Sequence, residues 1–109
     1  MPATFLDIIR ITYKNRAVIA SYADKDTGKV AAGIRVKKFE TIARAAQKKL
    51  VVLRAATRLE DLMTPAGNRL EALSGNRKGQ HSMRINDRYR ICFAWKNGSA
   101  YDVETVDYH

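Results

Sequence analysis

The C-terminal half of the sequence holds polar residues of the types that cleave RNA. Glu71 and Arg90 fall in segments of alternating polar and apolar residues, on the side that points away from the core. The sequence closes on three titratable residues, Asp107, Tyr108 and His109. In metal-independent cleavage one group takes the ribose 2′-OH proton, another protonates the leaving 5′ oxygen, and an arginine stabilises the charged phosphorane. A carboxylate, an imidazole and a guanidinium on one surface would fill these roles.

Each of these residues also has a purely structural interpretation. A strand carboxylate such as Glu71 is often only solvated, and Arg90 could pair with a nearby acid, Asp102 or Glu104. His81 falls on the apolar side of its strand, which favours a structural histidine. The two histidines and the scattered carboxylates lack metal-ligand spacing, so no metal or other cofactor is predicted.

The composition indicates one small basic domain. Among 109 residues, 20 Lys and Arg face 11 Asp and Glu, which gives a formal net charge of +9. An excess of this size favours a polyanionic partner such as nucleic acid. Cys92 is the single cysteine, which excludes a disulfide framework and suits a reducing compartment. No apolar run approaches the ~20 residues of a membrane span, so we expect a cytoplasmic protein without a membrane partner.

Hydrophobic periodicity predicts an α+β fold, with an N-terminal strand and helices packed on an antiparallel β-meander. The expected elements are a strand in VIASYA, a short helix after Asp24 or Asp26, a long helix over 38–56 and four meander strands after residue 68. The meander is expected to bury Tyr101 and Val103 of its last strand, and the Asn97-Gly98 pair predicts the last hairpin.

The long helix should cover one face of the meander and leave the other open. Its apolar stripe consists of Phe39, Ile42, Ala43, Ala46, Leu50 and Leu53. This stripe should pack on the sheet face formed by Tyr89, Ile91, Phe93 and Trp95. The opposite face, which carries Glu71 and Arg90, would then be open and basic.

The stretch PAGNRLEALSGNRKGQHSMRINDRYRICFAW, followed by AYDVETVDYH, resembles the HigB-like branch of the RelE/ParE toxin superfamily. The resemblance covers about residues 18–109, so we expect a toxin domain there. Residues 1–17 would be an N-terminal extension or the product of an upstream start codon. The most specific parts of the resemblance are GNRLEALSGNRKG, INDRYRICF and the terminal VDYH.

This resemblance implies a RelE-like fold, similar to that of microbial ribonucleases, and a defined activity. Such toxins of type II toxin–antitoxin systems enter the ribosomal 30S A site and cut translated mRNA, which inhibits translation and growth. A helix-turn-helix antitoxin of the HigA type neutralises them, and the complex binds operator DNA. The terminal functional residues of the family match Asp107, Tyr108 and His109, and its strand arginine matches Arg90.

One departure from the family pattern concerns the base. Some HigB toxins have a histidine in the first meander strand, where this chain has Glu71. A Glu/His pair can divide the same work, with Glu71 as base and His109 as acid, if burial and Arg90 set their pKa values suitably, and we then expect a slower toxin.

Basic residues on or near the sheet would bind RNA phosphates. They are Arg69, Arg77, Lys78, Arg84 and Arg88. Lysines and arginines on the long helix could instead contact ribosomal RNA, an acidic antitoxin surface or only water.

Two other functions stay open at the level of sequence. A non-catalytic inhibitor resembling the gyrase-binding ParE branch would not need the terminal histidine. A simple RNA-binding module would need exposed aromatic residues for base stacking. Tyr89, Phe93 and Trp95 alternate into the core, which leaves Tyr108 as the main exposed candidate.

Overall fold

The fold combines two α-helices with a four-stranded sheet in the part of the chain that the computed structural model describes, residues 19–108. Residues 1–18 and His109 lie outside this range, so the predicted domain boundary before Val18 stays a prediction. The elements are α1 (Lys25–Ala31), α2 (Ala43–Ala55), β1 (Glu71–Ala72), β2 (Gln80–Arg84), β3 (Tyr89–Lys96) and β4 (Ser99–Asp107). Short 3₁₀ turns lie at Lys37–Phe39, Leu59–Met63, Ala66–Asn68 and Gly75–Arg77. The predicted α+β class is confirmed.

Both predicted helices are present, with sharper boundaries. Asp24 caps α1, because its carboxylate accepts a hydrogen bond from the backbone N–H of Thr27 at 2.9 Å. The long helix predicted over 38–56 is divided into the 3₁₀ turn Lys37–Phe39 and α2. None of the helices in residues 19–108 is long and apolar enough to cross a membrane.

The sheet is an antiparallel meander in the order β1-β2-β3-β4. Asn97 and Gly98 form the β3–β4 turn with φ values of 50° and 77°, as the Asn-Gly pair predicted. The segment 19–23 runs beside β4 in the parallel sense through bridges Ile19–Ala100 and Tyr22–Val103. The N-terminal strand expected in VIASYA is therefore reduced to two isolated bridges.

The core lies between α2 and one face of the sheet, as predicted. Leu50 and Leu53 of α2 and Ile91 and Phe93 of β3 are completely or almost completely removed from solvent. Each such side chain contributes about 1.5–3 kcal/mol of transfer free energy. Of the other predicted stripe residues, Phe39, Ile42 and Ala46 are also buried and Ala43 is half-buried. Tyr89 and Trp95 pack at the border of the core.

A β-bulge in β4 contradicts the prediction that Tyr101 is buried in the core. The ladder pairs Cys92 with Glu104 but Ala94 with Tyr101, so β4 has one extra residue between these pairs. The irregularity lies at Asp102, which has a φ of 52°. Its backbone N–H donates a hydrogen bond to the Ser21 hydroxyl at 2.9 Å. The shift buries Ala100 and Val103, whereas Tyr101 is only half-buried.

The sheet face turned away from the helices is not simply open. Ser82 and Cys92, in its centre, have no exposed surface. Larger polar side chains from the strand ends and loops lie over them. These side chains form the candidate functional site.

Candidate functional site

The floor of the candidate site is a row of four residues that crosses the whole sheet. Glu71 of β1 lies opposite Ser82 of β2, Ser82 opposite Cys92 of β3, and Cys92 opposite Glu104 of β4. Cross-strand partners point to the same face, so this row presents a carboxylate at each end and a hydroxyl and a thiol between them. We refer to these four residues as the polar row.

Arg90 is held over one side of the polar row. Its Nε donates a hydrogen bond to Ser82 Oγ at 2.7 Å, and its Nη2 donates to the backbone carbonyl of Arg69. Nη2 also lies 3.9 Å from Glu71 Oε1. The side chain is 12% exposed, whereas that of Glu71 is 58% exposed. The guanidinium is thus fixed by neutral acceptors and only loosely paired with the carboxylate.

Tyr108 continues the chain from β4 and folds back over the same surface. Its backbone N–H donates to the carbonyl of Arg88 at 2.7 Å, which holds this end of the chain against the start of β3. Its hydroxyl lies 3.5 Å from Cys92 Sγ, and the Arg90 guanidinium lies 5.9 Å from its ring centre. The phenol therefore stands above the middle of the polar row.

The pKa values of this pair favour neutral groups. Burial raises the pKa of Tyr108, the hydrogen bond with Cys92 adds to that rise, and the charges of Arg77 and Arg90 oppose it. Burial also raises the pKa of the Cys92 thiol, against the hydrogen bond from Tyr108. At neutral pH the site offers a phenol O–H that can donate a hydrogen bond and a thiol that is not an active nucleophile.

Arg77 lies on the other side of the polar row. Its Nη2 is 3.2 Å from Glu104 Oε1, and its Nη1 donates to Gln80 Oε1 at 3.0 Å. Both carboxylates of the row are therefore paired with an arginine, Glu71 with Arg90 and Glu104 with Arg77. The alternative in which Arg90 pairs with Asp102 or Glu104 does not occur.

Asp107 and Arg88 form an ion pair at the end of β4. Arg88 Nη2 and Nε lie 2.8 and 3.0 Å from Asp107 Oδ2, and the guanidinium also lies over the ring of Tyr89. Asp107 is the ladder partner of Tyr89, in the row that faces the helices. The hydrogen bond with Asp107 raises the pKa of Arg88.

The remaining predicted residues surround this cluster. Arg84 is the ladder partner of Arg90, shares its sheet face and pairs with Asp87. Arg69 is exposed, with a φ of 44° that turns its carbonyl to Arg90, and Lys78 is exposed after the turn Gly75–Arg77. His109 lies outside the described residues.

His81 lies on the other side of the sheet from the polar row. It is half-buried and stacks on Phe93 with ring centres 6.2 Å apart. Its Nδ1 is buried and has no hydrogen-bond partner among residues 19–108. Within that range no three histidine, cysteine, aspartate or glutamate side chains are grouped to hold a metal ion.

The structure thus brings together Arg90, Tyr108 and Glu71, three of the predicted catalytic residues, with Arg77 on the opposite side. Sequence reasoning missed Ser82, Cys92 and Glu104 as parts of this surface. Alternation along QHSMRI and RYRICFAW did place Ser82 and Cys92 on the Arg90 side, so that signal was available. The predicted burial of Val103 likewise placed Glu104 on that side, but its pairing with Cys92 depends on the bulge at Asp102, because counting from the turn would pair Cys92 with Val103.

Comparisons with known proteins identify a family and, separately, a similar fold. The model of a HigB-like family, described as a RelE-like toxin of the type II toxin–antitoxin system HigB, matches residues 11–109. Toxin HigB-1 of Vibrio cholerae is 47% identical over 63 residues, which are 58% of this chain and 66% of that protein, just under two thirds of its length. Among solved structures, the YoeB–YefM complex from Staphylococcus aureus is similar in fold, with a TM-score of 0.50 and 18% identity over 85% of this chain and 99% of that one.

Proposed function

Because the chain belongs to the HigB-like toxins of type II toxin–antitoxin systems, we propose that it is a ribonuclease that cuts translated mRNA in the ribosomal A site. The observation that carries this proposal is the fixed position of Arg90 beside the Tyr108 phenol. A half-buried guanidinium and a neutral hydroxyl on one basic surface can both donate hydrogen bonds to a single phosphate.

The reaction would proceed by attack of the ribose on its own phosphate. The Glu71 carboxylate takes the 2′-OH proton, and the 2′ oxygen forms a bond to phosphorus. The bond from phosphorus to the 5′ oxygen breaks, and His109 gives that oxygen a proton. The products are a 2′,3′-cyclic phosphate and a 5′-OH end. Arg90 and Tyr108 donate hydrogen bonds to the phosphate oxygens, where negative charge builds up in the transition state.

Asp107 and the surrounding basic residues would orient the RNA and this end of the chain. Asp107 holds Arg88, whose carbonyl accepts the Tyr108 N–H, so the pair fixes the segment that continues to His109. Basic side chains around the polar row then bind the phosphates on either side of the cut. They are Arg69, Arg77, Lys78, Arg84 and Arg88.

The partners follow from this activity. The mRNA would be cut on the 30S subunit, so the toxin would act in the cytoplasm. An antitoxin of the HigA type would neutralise it and carry the operator-binding function of the complex. The net charge of +9 favours both a ribosomal RNA surface and an acidic protein surface.

The test is induced expression in bacteria with mRNA 5′ ends mapped by a method that separates 5′-OH from 5′-phosphate ends. We expect the wild type to arrest growth and to create new 5′-OH ends inside translated reading frames. His109→Ala and Arg90→Ala should do neither, while a form that starts at Val18 should behave as wild type. Arg35→Ala is a matched control, since Arg35 is an exposed arginine in the connection between α1 and α2 and pairs with Glu40.

Three results would contradict the proposal. Growth arrest without new ends, unchanged by Arg90→Ala and His109→Ala, would indicate a binding inhibitor of the ParE type. New ends that carry 5′ phosphates would indicate hydrolysis by a different mechanism. Cuts in untranslated RNA as frequent as in reading frames would exclude dependence on the ribosome.

A further inference from the structure

Glu104 occupies a position in the candidate site that the reaction described above leaves without a role. It is the β4 member of the polar row and the ladder partner of Cys92. Its side chain is 34% exposed, which makes it more buried than Glu71 at the other end of the row. A half-buried carboxylate in a site that binds phosphate would repel the substrate unless its charge were used for another purpose.

The contacts of Arg77 indicate that the charge of Glu104 serves to hold this guanidinium in place. Two separate nitrogens of its guanidinium are occupied, one by Glu104 and one by Gln80. Gln80 begins β2 and Glu104 lies in β4, so the guanidinium is fixed between two strands that are not neighbours in the sheet. Without these two hydrogen bonds, the long side chain of Arg77, at the end of a 3₁₀ turn, would adopt several rotamers and would not keep this orientation.

The place where Arg77 is held is close to the reacting groups. Burial works to lower the pKa of Arg77, but the neighbouring Cys92, Glu104 and Tyr108 outweigh it and raise the pKa. Arg77 binds Glu104, which is the ladder partner of Cys92, and Cys92 Sγ lies 3.5 Å from the hydroxyl of Tyr108, whose ring Arg90 faces. A phosphate at Tyr108 would lie between two guanidinium groups.

We propose that Glu104 is a positioning residue that fixes Arg77 beside Cys92 and Tyr108, so that Arg77 and Arg90 bind the scissile phosphate from opposite sides. This inference rests on the proposed ribonuclease activity. It gives Arg77 a role at the cut itself, whereas the other basic residues bind the flanking phosphates. Glu104 acts only through Arg77 and does not touch the RNA.

The experiment is a double-mutant cycle with purified toxin on ribosomes paused on a defined message. The variants are Glu104→Ala, Arg77→Ala and the double variant, and single-turnover cleavage is measured at saturating toxin. We expect each single variant to cleave about ten- to a hundredfold more slowly. The double variant should be no slower than Arg77→Ala, because Glu104 has no effect once Arg77 is absent. The toxin concentration that gives half the maximal rate should stay within about twofold.

Two further variants separate positioning from a general loss of structure. Glu104→Gln keeps an oxygen that can accept the Arg77 hydrogen bond and should recover most of the rate that Glu104→Ala loses. Glu40→Ala removes the carboxylate of the exposed Arg35–Glu40 pair, in the connection between α1 and α2, and should cleave as wild type. Thermal unfolding of every variant reports whether the fold is intact.

Three outcomes would overturn the inference. In the first, Glu104→Ala cleaves as fast as wild type or faster. In the second, the losses of the two single variants multiply in the double variant, so that Glu104 acts independently of Arg77. In the third, the rate of each variant falls in proportion to its thermal stability, Glu40→Ala included. If wild-type toxin makes no cuts on ribosomes, the proposed function fails as well, and that result is read from the wild type alone.

Discussion

Replacement of Arg90 by lysine separates the geometry of the guanidinium from its charge. Arg90 donates to Ser82 Oγ and to the Arg69 carbonyl through nitrogens that point in different directions. A lysine ammonium keeps the charge but is a single point on a flexible stem, so it cannot reproduce both contacts. At least one hydrogen bond from a charged donor is lost, which is worth about 1.5–3 kcal/mol. We expect the free energy of unfolding to fall by that amount.

The effect on catalysis should be larger than the effect on stability. If Arg90 binds the phosphate in the transition state, a donor that is no longer oriented costs about 10²–10³-fold in rate. The assay is single-turnover cleavage on paused ribosomes, paired with urea unfolding of the same preparation. Arg35→Lys is the matched control, because the Arg35–Glu40 pair is exposed and lies in the connection between α1 and α2. It should leave the rate unchanged and the stability within about 0.5 kcal/mol.

The reasoning is refuted if Arg90→Lys cleaves within about twofold of the wild-type rate while its stability falls as expected. Arg90 would then be a structural residue that holds the Arg69 loop to the sheet. A loss of rate shared by Arg35→Lys would instead show that basic charge in general, rather than this guanidinium, supports cleavage.

Three other predictions concern single groups of the site. Tyr108→Phe removes the hydroxyl and keeps the ring over Arg90, so single-turnover cleavage should fall at least about tenfold while ribosome binding is unchanged. Burial holds the pKa of Cys92 above its ordinary value, so the folded state keeps a proton that the unfolded state releases. Stability should therefore fall as pH rises above about 8.5, and Cys92→Ala should make that fall shallower in urea unfolding measured from pH 8 to 10. Lys78→Ala should weaken binding to ribosomes and lower the salt dependence of binding by about one phosphate contact relative to a Lys25→Ala control, as titrations at several salt concentrations would show.

The parts of the fold that local rules determine were predictable from the sequence. The apolar stripe of α2 and the alternation along β3 each repeat with one period, so they identify which sheet face the helices cover. The Asn97-Gly98 turn follows from the two positive φ values that this hairpin needs. These features depend on residues that are close together in the chain.

The errors arose where a distant contact decides. Alternation placed Tyr101 in the core, but the extra residue at Asp102 reverses the phase of the first part of β4. Nothing in the sequence of β4 alone marks this bulge, because the Ser21 hydroxyl that satisfies the Asp102 N–H comes from a segment 81 residues away. The strand expected in VIASYA is reduced to two isolated bridges, which lie on either side of Asp102.

Pairing between the acids and the arginines could not be predicted for a related reason. Alternation can place Glu71 and Arg90 on one face, but it does not say which carboxylate each arginine meets. That choice depends on the register of four strands and on the loop that carries Arg77. The sequence indicated the types of residue in the site, and the register determined the pairs.

The two pairs differ in a way that suggests different tasks. Arg90 lies 3.9 Å from an exposed carboxylate, and such a loose pair contributes little and is easily separated by a competing anion. Arg77 lies 3.2 Å from a half-buried carboxylate and is held by Gln80 as well, so it is harder to displace. An incoming phosphate would therefore replace Glu71 at Arg90 and free that carboxylate to act as a base. The Glu104–Arg77 pair would stay closed and keep the second guanidinium in place during the reaction.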